Sequence, residues 1–231
     1  MKIENINSVK KFISKMVPEL KDDEVLIYFV FVRKKYCPEV KNHHQMVFRN
    51  ILRDNSVEYI LHKIKKIPDE FIDYKTNISY KKNCYSTYID LIPKSTLKAF
   101  IKFQKEMTDL MYQSFKNKEL LSEFSKIKAK LLSNIHKSSS RKPYIMIDID
   151  TKEEDIIDNV LEKIVDRPEW ISETRGGYHL IYKKTSETCK VIYTELITDK
   201  SFKEVIEVKS EVMTPIPGLL QGGFLVNGLE C

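Results

Sequence analysis

The sequence predicts a mixed α+β fold made of two lobes, and two observations lead to this prediction. Small polar residues followed by proline at 138–143 divide the chain into parts spanning 1–140 and 141–231. The first part is rich in helical periodicity, whereas the second carries strand-like and helix-like segments in the order β-α-β-β-α-β. A chain of 231 residues suits one large domain or two small lobes that share a cleft.

The first part is predicted to be helix-rich with two strands. In chain order we expect a helix over 5–16, a strand over Glu24–Arg33, a helix over 55–66, a strand over 85–91 that ends at Pro93, and a helical stretch from Ser95 to about Ile135 that breaks near Asn117. Apolar residues of the long helical stretch recur three and four positions apart, so most of them are expected in the core: Leu97, Phe100, Ile101, Phe103, Met107, Leu110 and Met111.

The second part is predicted to form one four-stranded sheet. The expected elements are a strand over 144–150, a helix over 152–165, strands over 170–173 and 177–182, a segment over 190–199 that suits either a helix or a strand, and a strand over 203–208. This order is that of the split βαβ unit of ferredoxin-like and RNA-recognition (RRM-like) folds, in which the antiparallel sheet has one open face. We expect this half to pack against the helix-rich half, with a cleft between them.

The composition favours a cytoplasmic protein that contacts nucleic acid. Hydrophobic residues make up 42% of the chain, which is enough for a packed core. The net charge of +6, from 39 basic and 33 acidic residues, fits a nucleic-acid partner. No apolar run approaches the ~20 residues that cross a bilayer, and the first residues lack the pattern of a signal peptide. The four cysteines are scattered along the chain: Cys37, Cys84, Cys189 and Cys231. We therefore expect reduced thiols, and we expect neither a zinc site nor disulfides.

Two acids in one predicted strand are the first candidate site residues. Asp148 and Asp150 alternate with isoleucines, so both point to the same face of the strand, about 7 Å apart. Two carboxylates at this spacing repel each other unless a cation lies between them. Oxygen ligands favour Mg²⁺ or Mn²⁺ over zinc. A strand end with two solvated acids is the alternative.

A glycine turn between two predicted strands is the second candidate. Gly176 and Gly177 would let backbone N–H groups approach a phosphate closely. Arg175 offers a planar donor fork that suits phosphate, and His179 follows the turn. An ordinary hairpin with an exposed histidine is the alternative. The turn follows the aspartate strand within one βαβ unit, so both segments are expected on one surface of the sheet.

A third acid and a proline-glycine loop complete the candidates. Glu207, in the middle of the last predicted strand, is the preferred third metal ligand, with Glu204 and Glu211 as competitors. The loop over 214–223 contains two prolines and three glycines, and it could shape a nucleotide pocket or pack the end of the chain.

Taken together, these segments resemble the archaeo-eukaryotic primase superfamily, including the small primase-polymerases of plasmids and phages. That family carries a hydrophobic strand with Asp-x-Asp or Asp-x-Glu, then a Ser-x-His-type motif with glycines before the histidine, then a hydrophobic strand that ends in an acid. Here these look like Asp148 and Asp150, then Ser172 with the segment 175–179, then Glu207. The segment 88–95, which contains Lys94, is similar to one found before the aspartates in many members.

The resemblance covers about the last 90 residues well and the first half loosely. The third acid is Glu where Asp is usual in the family, and Thr214 and Ile216 lie where a basic residue commonly precedes the Pro-Gly loop. No helicase or zinc-binding module is evident in the sequence.

The resemblance implies a DNA-dependent nucleotidyltransferase in which 1–140 and 141–231 together form one primase-polymerase domain. It would join NTPs or dNTPs on a single-stranded DNA template by two-metal catalysis, in DNA replication, with a separate helicase or replication protein as partner and no membrane. The three acids would hold Mg²⁺ or Mn²⁺, and the nucleotide would be bound by a second set: Ser172, Arg175, Gly176, Gly177, His179 and Lys94. Lys94, Arg33, Lys34 and Lys35 are also candidates for contacts with the template backbone.

Three other functions remain open at this point. One is a catalytically degenerate relative that binds single-stranded nucleic acid. Another is a metal-dependent nuclease, for which the Glu-x-Lys pattern of Glu207 and Lys209 is the best support. The third is an RNA-recognition-like binding module, which would need exposed aromatic side chains on its central strands, and Tyr144 and Tyr178 are the obvious ones.

Overall fold

The structure is a computed structural model, and it describes residues 1–40, 43–73, 76–164, 166–199, 201–202 and 204–229. The predicted helix end at Val165, the predicted strand start at Lys203 and the cysteine Cys231 lie outside these ranges.

The described residues form helices and strands in a mixed order along the whole chain. In chain order the elements are α1 (Ile6–Met16), β1 (Glu24–Arg33), β2 (His44–Leu52), α2 (Val57–Lys65), β3 (Glu70–Asp73), β4 (Ile78–Lys81), β5 (Tyr85–Ser95), α3 (Thr96–Lys116), a 3₁₀ helix (Lys118–Lys126), α4 (Ile127–His136), β6 (Tyr144–Ile149), α5 (Glu154–Lys163), β7 (Trp170–Glu173), β8 (Tyr178–Lys183), α6 (Ser186–Val191), a π-helical turn (Ile192–Ile197), β9 (Ile206–Lys209), β10 (Met213–Pro215), β11 (Leu220–Gln221), β12 (Phe224–Leu225) and β13 (Asn227–Leu229).

The first sheet has the strand order β12-β11-β5-β1-β2, and β10 also pairs with β5. Its strand β1, which lies between β5 and β2, is apolar on both faces, as expected of a strand covered on both sides. Leu26, Tyr28 and Val30 face the buried sides of α1 and α2, whereas Ile27 and Phe29 pack with residues of α3 and α4. The sheet is therefore covered by helices on both faces.

The second sheet has the strand order β13-β7-β8-β6-β9, and all its pairs are antiparallel. One face is apolar, with Ile147 and Leu180 packed on Ile157 and Val160 of α5. The other face turns toward the first sheet, where Trp170 packs edge-on against Phe12 of α1, with ring centroids 5.2 Å apart. A smaller sheet, β3-β4, shares no strand pairing with either sheet among the described residues, and Phe71 of β3 packs against Phe48 of β2 and Tyr85 of β5.

The predicted α+β class is confirmed, and so are most element types. β1 and β7 have the predicted bounds, and the long helical stretch breaks at Asn117, which ends α3 and accepts a hydrogen bond from Glu119 N–H. The ambiguous segment at 190–199 is helical. The last strands are shared between the sheets, because β10 to β12 belong to the first and β13 to the second.

Three predictions for the first part are wrong. Its described residues form five strands, β1 to β5, where two were predicted. β5 does not end at Pro93 but continues to Ser95. Proline has no N–H to donate to a neighbouring strand, and the register shift between Val25 and Ile27 of β1 places Pro93 where no pairing with β1 is required. The apolar side chains of α3 are also not mainly core. Only one side of this helix is covered by α4 and the 3₁₀ helix, and half or more of the surface of four residues is exposed: Leu97, Phe100, Ile101 and Met111.

No helix formed by the described residues has both the length and the apolar character needed to span a membrane.

Candidate active site

A row of four side chains crosses the polar face of the second sheet. Asp148 on β6 is paired directly with His179 on β8 and with Glu207 on β9, and His179 is paired with Ser172 on β7. Directly opposed residues of antiparallel strands project to the same face. Three sequence segments that are far apart in the chain are thereby brought side by side on one surface.

Asp148 lies at the centre of this row and is held by two basic groups. Its Oδ1 is 3.2 Å from His179 Nε2, and its Oδ2 is paired with Lys209 Nζ. Burial works to raise the pKa of Asp148, but hydrogen bonds and charges from His179 and Lys209 outweigh it and hold the pKa well below its usual range. This carboxylate therefore stays ionised and able to bind a cation.

Lys209 bridges two of the predicted ligands. Its Nζ is paired with Asp148 and lies 3.0 Å from Glu207 Oε2. Burial works to lower the pKa of Lys209, and the two carboxylates more than offset this and raise it. An ammonium group held between two carboxylates shows that this corner of the sheet attracts a cation.

His179 is oriented by the segment 214–223, which follows β9 and includes residues of β10 and β11. Its Nδ1 is 3.0 Å from Thr214 Oγ1, and the imidazole is buried. The same segment reaches the glycine turn, where Gln221 Oε1 accepts a hydrogen bond from Arg175 N–H at 2.7 Å. Gln221 Nε2 also donates to Tyr88 Oη at 3.0 Å. The 214–223 segment thus packs directly against the site and joins it to the first sheet.

A cavity of about 700 Å³ lies between the polar face of the second sheet and the first sheet. From the second half of the chain it is lined by Asp148, Asp150, Thr174, Gly176, His179, Lys209, Glu211, Met213 and Gln221, and from the first half by Phe29, Phe31, Arg33, Lys35, His44, Met46, Arg49, Tyr88, Asp90 and His136. Acids therefore face a wall that is aromatic and basic. The volume is within the range of ligand pockets, about 300–1,000 Å³.

A register shift in the first sheet helps to build the basic wall. Phe29 of β1 is paired with Arg49 of β2. The register then shifts between Val30 and Phe31, so that Phe31 is paired with Met46. Without the shift, side chains three positions apart on β2 would point to opposite faces. Because of it, Met46 and Arg49 both line the cavity.

The basic side chains of this wall include one that is only partly satisfied. Arg49 Nε is buried and has no hydrogen-bond partner among the residues that the structure describes, and burial lowers the pKa of its guanidinium. The Arg33 guanidinium lies 5.4 Å from the centre of the Tyr88 ring. Burial, followed by the charge of Arg33, lowers the pKa of Lys35, and the nearby charge of Asp150 partly opposes this. A buried donor and crowded positive charges favour an anionic ligand.

The predicted phosphate-binding residues lie in different places. Gly176 lines the cavity. Ser172 is fully buried and accepts a hydrogen bond from Trp170 Nε1 at 2.9 Å, and it is absent from the cavity lining. The guanidinium of Arg175 lies over the Tyr36 ring at 4.7 Å and donates to the carbonyl of Gly222.

Gly177 packs under the end of β6 and leaves no space for a side chain. A Cβ placed on it would lie 1.8 Å from the carbonyl oxygen of Ile149. A Cβ on Gly176 would have Lys35 Nζ as its nearest neighbour among the described residues, at 3.9 Å. Close packing therefore requires glycine at 177, whereas 176 is open.

The three candidate third acids are also separated. Glu207 lies beside Asp148 in the row, although most of its side chain is exposed. Glu211 lines the cavity and is 3.7 Å from Lys142 Nζ. Glu204 is exposed and outside β9. The pairing with Asp148 favours Glu207, and the cavity makes Glu211 its competitor.

Among the described residues, no three His, Cys, Asp or Glu side chains are already gathered around one point as metal ligands. Asp148 and Asp150 nevertheless both line the cavity, and Glu207 lies next to Asp148. Their oxygen atoms are the ligands that Mg²⁺ and Mn²⁺ prefer. The chemistry of these oxygen donors suits a divalent ion, and in this structure Lys209 Nζ lies between two of them, Asp148 and Glu207.

Lys94 lies apart from the cavity, in a buried ion pair. Its Nζ is 2.8 Å from Asp90 Oδ2 and donates to Ser139 Oγ at 3.3 Å. Both charged side chains are almost fully buried. Burial raises the pKa of Asp90, and Lys94 opposes the rise. Lys94 therefore contributes to the stability of the fold. Its link to the cavity is its ion pair with Asp90, which lines the cavity.

Replacing Lys94 with methionine is expected to lower the free energy of unfolding by about 3 kcal/mol at neutral pH, because Asp90 is left buried and unpaired. The loss should be smaller near pH 4. A carboxyl whose pKa is raised on folding contributes its stability below its unfolded pKa and loses it as pH rises through the folded value. Urea unfolding across this pH range measures both effects, and the double variant Lys94→Met with Asp90→Leu should recover most of the loss. Unchanged stability with weaker nucleotide binding would assign Lys94 to the ligand instead.

Several cavity residues were missed in the sequence. Arg49 and Met46 lie on β2, which was not predicted, because His44, Gln45 and Asn50 interrupt its alternation of apolar residues. Among the template candidates, Arg33 and Lys35 line the cavity, whereas Lys34 is exposed outside it.

No family model matches the sequence, and no curated protein or solved structure matches the chain.

Proposed function

We propose that the chain is a nucleotidyltransferase of the primase-polymerase type, which joins NTPs or dNTPs on a single-stranded DNA template. One observation carries the proposal: Asp148, His179 and Glu207, from three separate motifs, are paired in one row that faces a basic and aromatic wall. Polymerisation needs these groups together, because acids must bind metal ions where phosphates and a base are also held.

The strand order of the second sheet supports an RRM-like catalytic half. β7-β8-β6-β9 is the order expected when β6-α5-β7 and β8-α6-β9 form a split βαβ unit. In this proposal the cavity between the two sheets is the active-site cleft, and both halves contribute to it.

Asp148 and Asp150, with Glu207 or Glu211, would hold Mg²⁺ or Mn²⁺. The bound ions would supply Lewis-acid chemistry, which activates the attacking hydroxyl and stabilises the leaving group. His179 keeps Asp148 oriented and ionised, and the Thr214 hydroxyl fixes its ring. Arg49 and Lys35 would bind phosphate oxygens, and Phe29, Phe31 and Tyr88 offer surfaces for a base.

Replacing Arg49 with glutamine is expected to weaken nucleotide binding about tenfold, because a hydrogen bond to a charged group contributes about 1.5 kcal/mol. Arg53→Gln is the matched control, since Arg53 is exposed and lies just beyond β2, outside the cavity. Titration calorimetry with a nucleoside triphosphate and Mn²⁺, at one fixed salt concentration, measures both variants. Equal affinities for the two would remove Arg49 from the nucleotide site.

The function itself is tested by incubating the protein with single-stranded template, NTPs or dNTPs, and Mn²⁺ or Mg²⁺, with and without a primer. The proposal predicts template-dependent synthesis that chelation of the metal abolishes. No product under any of these conditions would reject it. Metal-independent binding of single strands without synthesis would instead favour a non-catalytic binding protein.

A metal-dependent nuclease is the second candidate, because Lys209 contacts both Asp148 and Glu207. Clustered acids beside a lysine also suit hydrolysis of a phosphodiester. Lys209→Met separates the two functions. A nuclease would lose metal-dependent DNA cleavage, whereas a polymerase would retain synthesis, since its acids would still bind metal. The RNA-recognition-like binding module has less support, because Tyr144 and Tyr178 pack against the hydrophobic clusters.

DNA replication, a separate helicase or replication protein as partner, and a cytoplasmic location belong to the same proposal.

A further inference from the structure

The helix α3 carries a largely apolar stripe that none of the other described residues covers. Positions alternately four and three residues apart form the stripe: Leu97, Ile101, Gln104, Thr108, Met111 and Phe115. All six are exposed, and Phe100 and Tyr112 flank them. The opposite side of the helix carries the buried Ala99, Leu110 and Ser114. Such spacing is that of a coiled-coil seam, which a partner helix normally covers.

The exposed area is large enough for a stable contact. The exposed fractions are 62% for Leu97, 54% for Phe100, 50% for Ile101, 53% for Met111, 63% for Tyr112 and 83% for Phe115. A fully exposed side chain of this size has roughly 200 Å² of surface, so these six apolar and aromatic residues together expose about 700 Å² per copy. Monomeric proteins rarely leave more than a few hundred Å² of contiguous apolar surface exposed, and a standard interface buries about 800 Å² per partner.

We propose that this face of α3 binds the same face of a second copy of the chain, as an antiparallel helix pair around a twofold axis near Gln104 and Thr108. The order of residues is self-complementary for this arrangement. Leu97 would meet Phe115 of the second copy, and Ile101 would meet Met111. Gln104 would meet Thr108 at the centre, where polar residues fix the register.

The charges beside the stripe support the antiparallel direction. Lys105 and Asp109 line a shallow groove with Ile101, Gln104 and Thr108. Neither side chain forms an ion pair among the described residues. A twofold axis at the centre of the stripe brings Lys105 of each copy next to Asp109 of the other. In a parallel pair Lys105 would instead face the flank that carries Phe100 and Met107, which has no acid.

The test measures the mass of the protein in solution by analytical ultracentrifugation over a concentration series. The wild type should reach twice the mass of one chain. Phe115→Glu and Ile101→Glu should each raise the dissociation constant at least about tenfold, because each buries a charge in the seam. Ile197→Glu is the matched control, since Ile197 is similarly exposed but lies on the π-helical turn. A wild type that stays monomeric up to about 100 µM, or a dimer that Phe115→Glu leaves intact, would overturn the proposal.

A charge exchange tests the direction of the pair. Lys105→Asp alone and Asp109→Lys alone should each weaken the dimer, because like charges then meet across the axis. An equimolar mixture of the two variants should form heterodimers as tightly as the wild type forms homodimers, since both contacts then join opposite charges. Failure of the mixture to associate more tightly than either variant alone would reject the antiparallel pair. This measurement does not depend on the enzymatic activity.

Discussion

Replacing Asp148 with asparagine is expected to lower template-dependent nucleotide addition at least about 100-fold. The side chain keeps its shape but loses the charge that binds a cation, and a bound metal ion contributes several kcal/mol to the stabilisation of the transition state. Each 1.4 kcal/mol corresponds to a factor of ten in rate. Incorporation of labelled nucleotide at saturating Mn²⁺ measures the effect.

Two further variants make this result specific. Asp150→Asn should cause a similar loss of nucleotide addition without lowering stability, because Asp150 is exposed. Glu204→Gln is the control, since Glu204 is exposed and does not line the cavity. Circular dichroism at the assay temperature shows whether each variant is folded. Full synthesis by folded Asp148→Asn would refute the assignment of this row as the catalytic centre.

Replacing Gly177 with alanine is expected to destabilise the protein by about 4 kcal/mol. The added Cβ would lie 1.8 Å from the carbonyl oxygen of Ile149, at the end of β6, and 2.7 Å from that of Thr151, and both are backbone atoms. Overpacking of this kind costs 1–3 kcal/mol in ordinary cores and more against backbone. For a chain of this size the melting temperature should fall by about 10 °C.

Gly176→Ala is the matched control for that substitution. It adds the same methyl group to the adjacent residue, where the nearest atom is the flexible end of Lys35 at 3.9 Å. Its melting temperature should stay within about 2 °C of the wild type. Thermal unfolding followed by circular dichroism compares the two directly. An equal effect of both substitutions would mean that the turn as a whole, and not the contact with β6, sets the requirement for glycine.

The features that the sequence predicts well are local. Alternation along a strand places Asp148 on the face opposite to Ile147 and Ile149, and the structure agrees, because both isoleucines pack on the helix side. Element types follow in the same way from periodicity, as with β1 and the break at Asn117. These properties depend on residues within a few positions of each other, so they can be derived from the chain alone.

The predictions that fail depend on how helices and strands pack against one another and which side chains this packing buries. Helical periodicity in α3 indicates an amphipathic helix, but it cannot distinguish a buried stripe from one left exposed. Ser172 has the residue type of a phosphate ligand, yet its hydroxyl oxygen accepts a hydrogen bond from the indole N–H of Trp170. β2 is missed because polar residues, of which His44 lines the cavity, interrupt the alternation expected of a strand.

What the sequence alone determined is the α+β class, the types of most elements, and the three segments that contain Asp148, His179 and Glu207. Only the tertiary structure decided that these three lie in one row, that Lys209 bridges two of them, and that Arg49 faces them from the other sheet. The physical reason is that propensity and side-chain alternation are set by near neighbours in the chain. Strand pairing, register shifts and burial are set by contacts between distant segments, whose combined free energy no single segment contains.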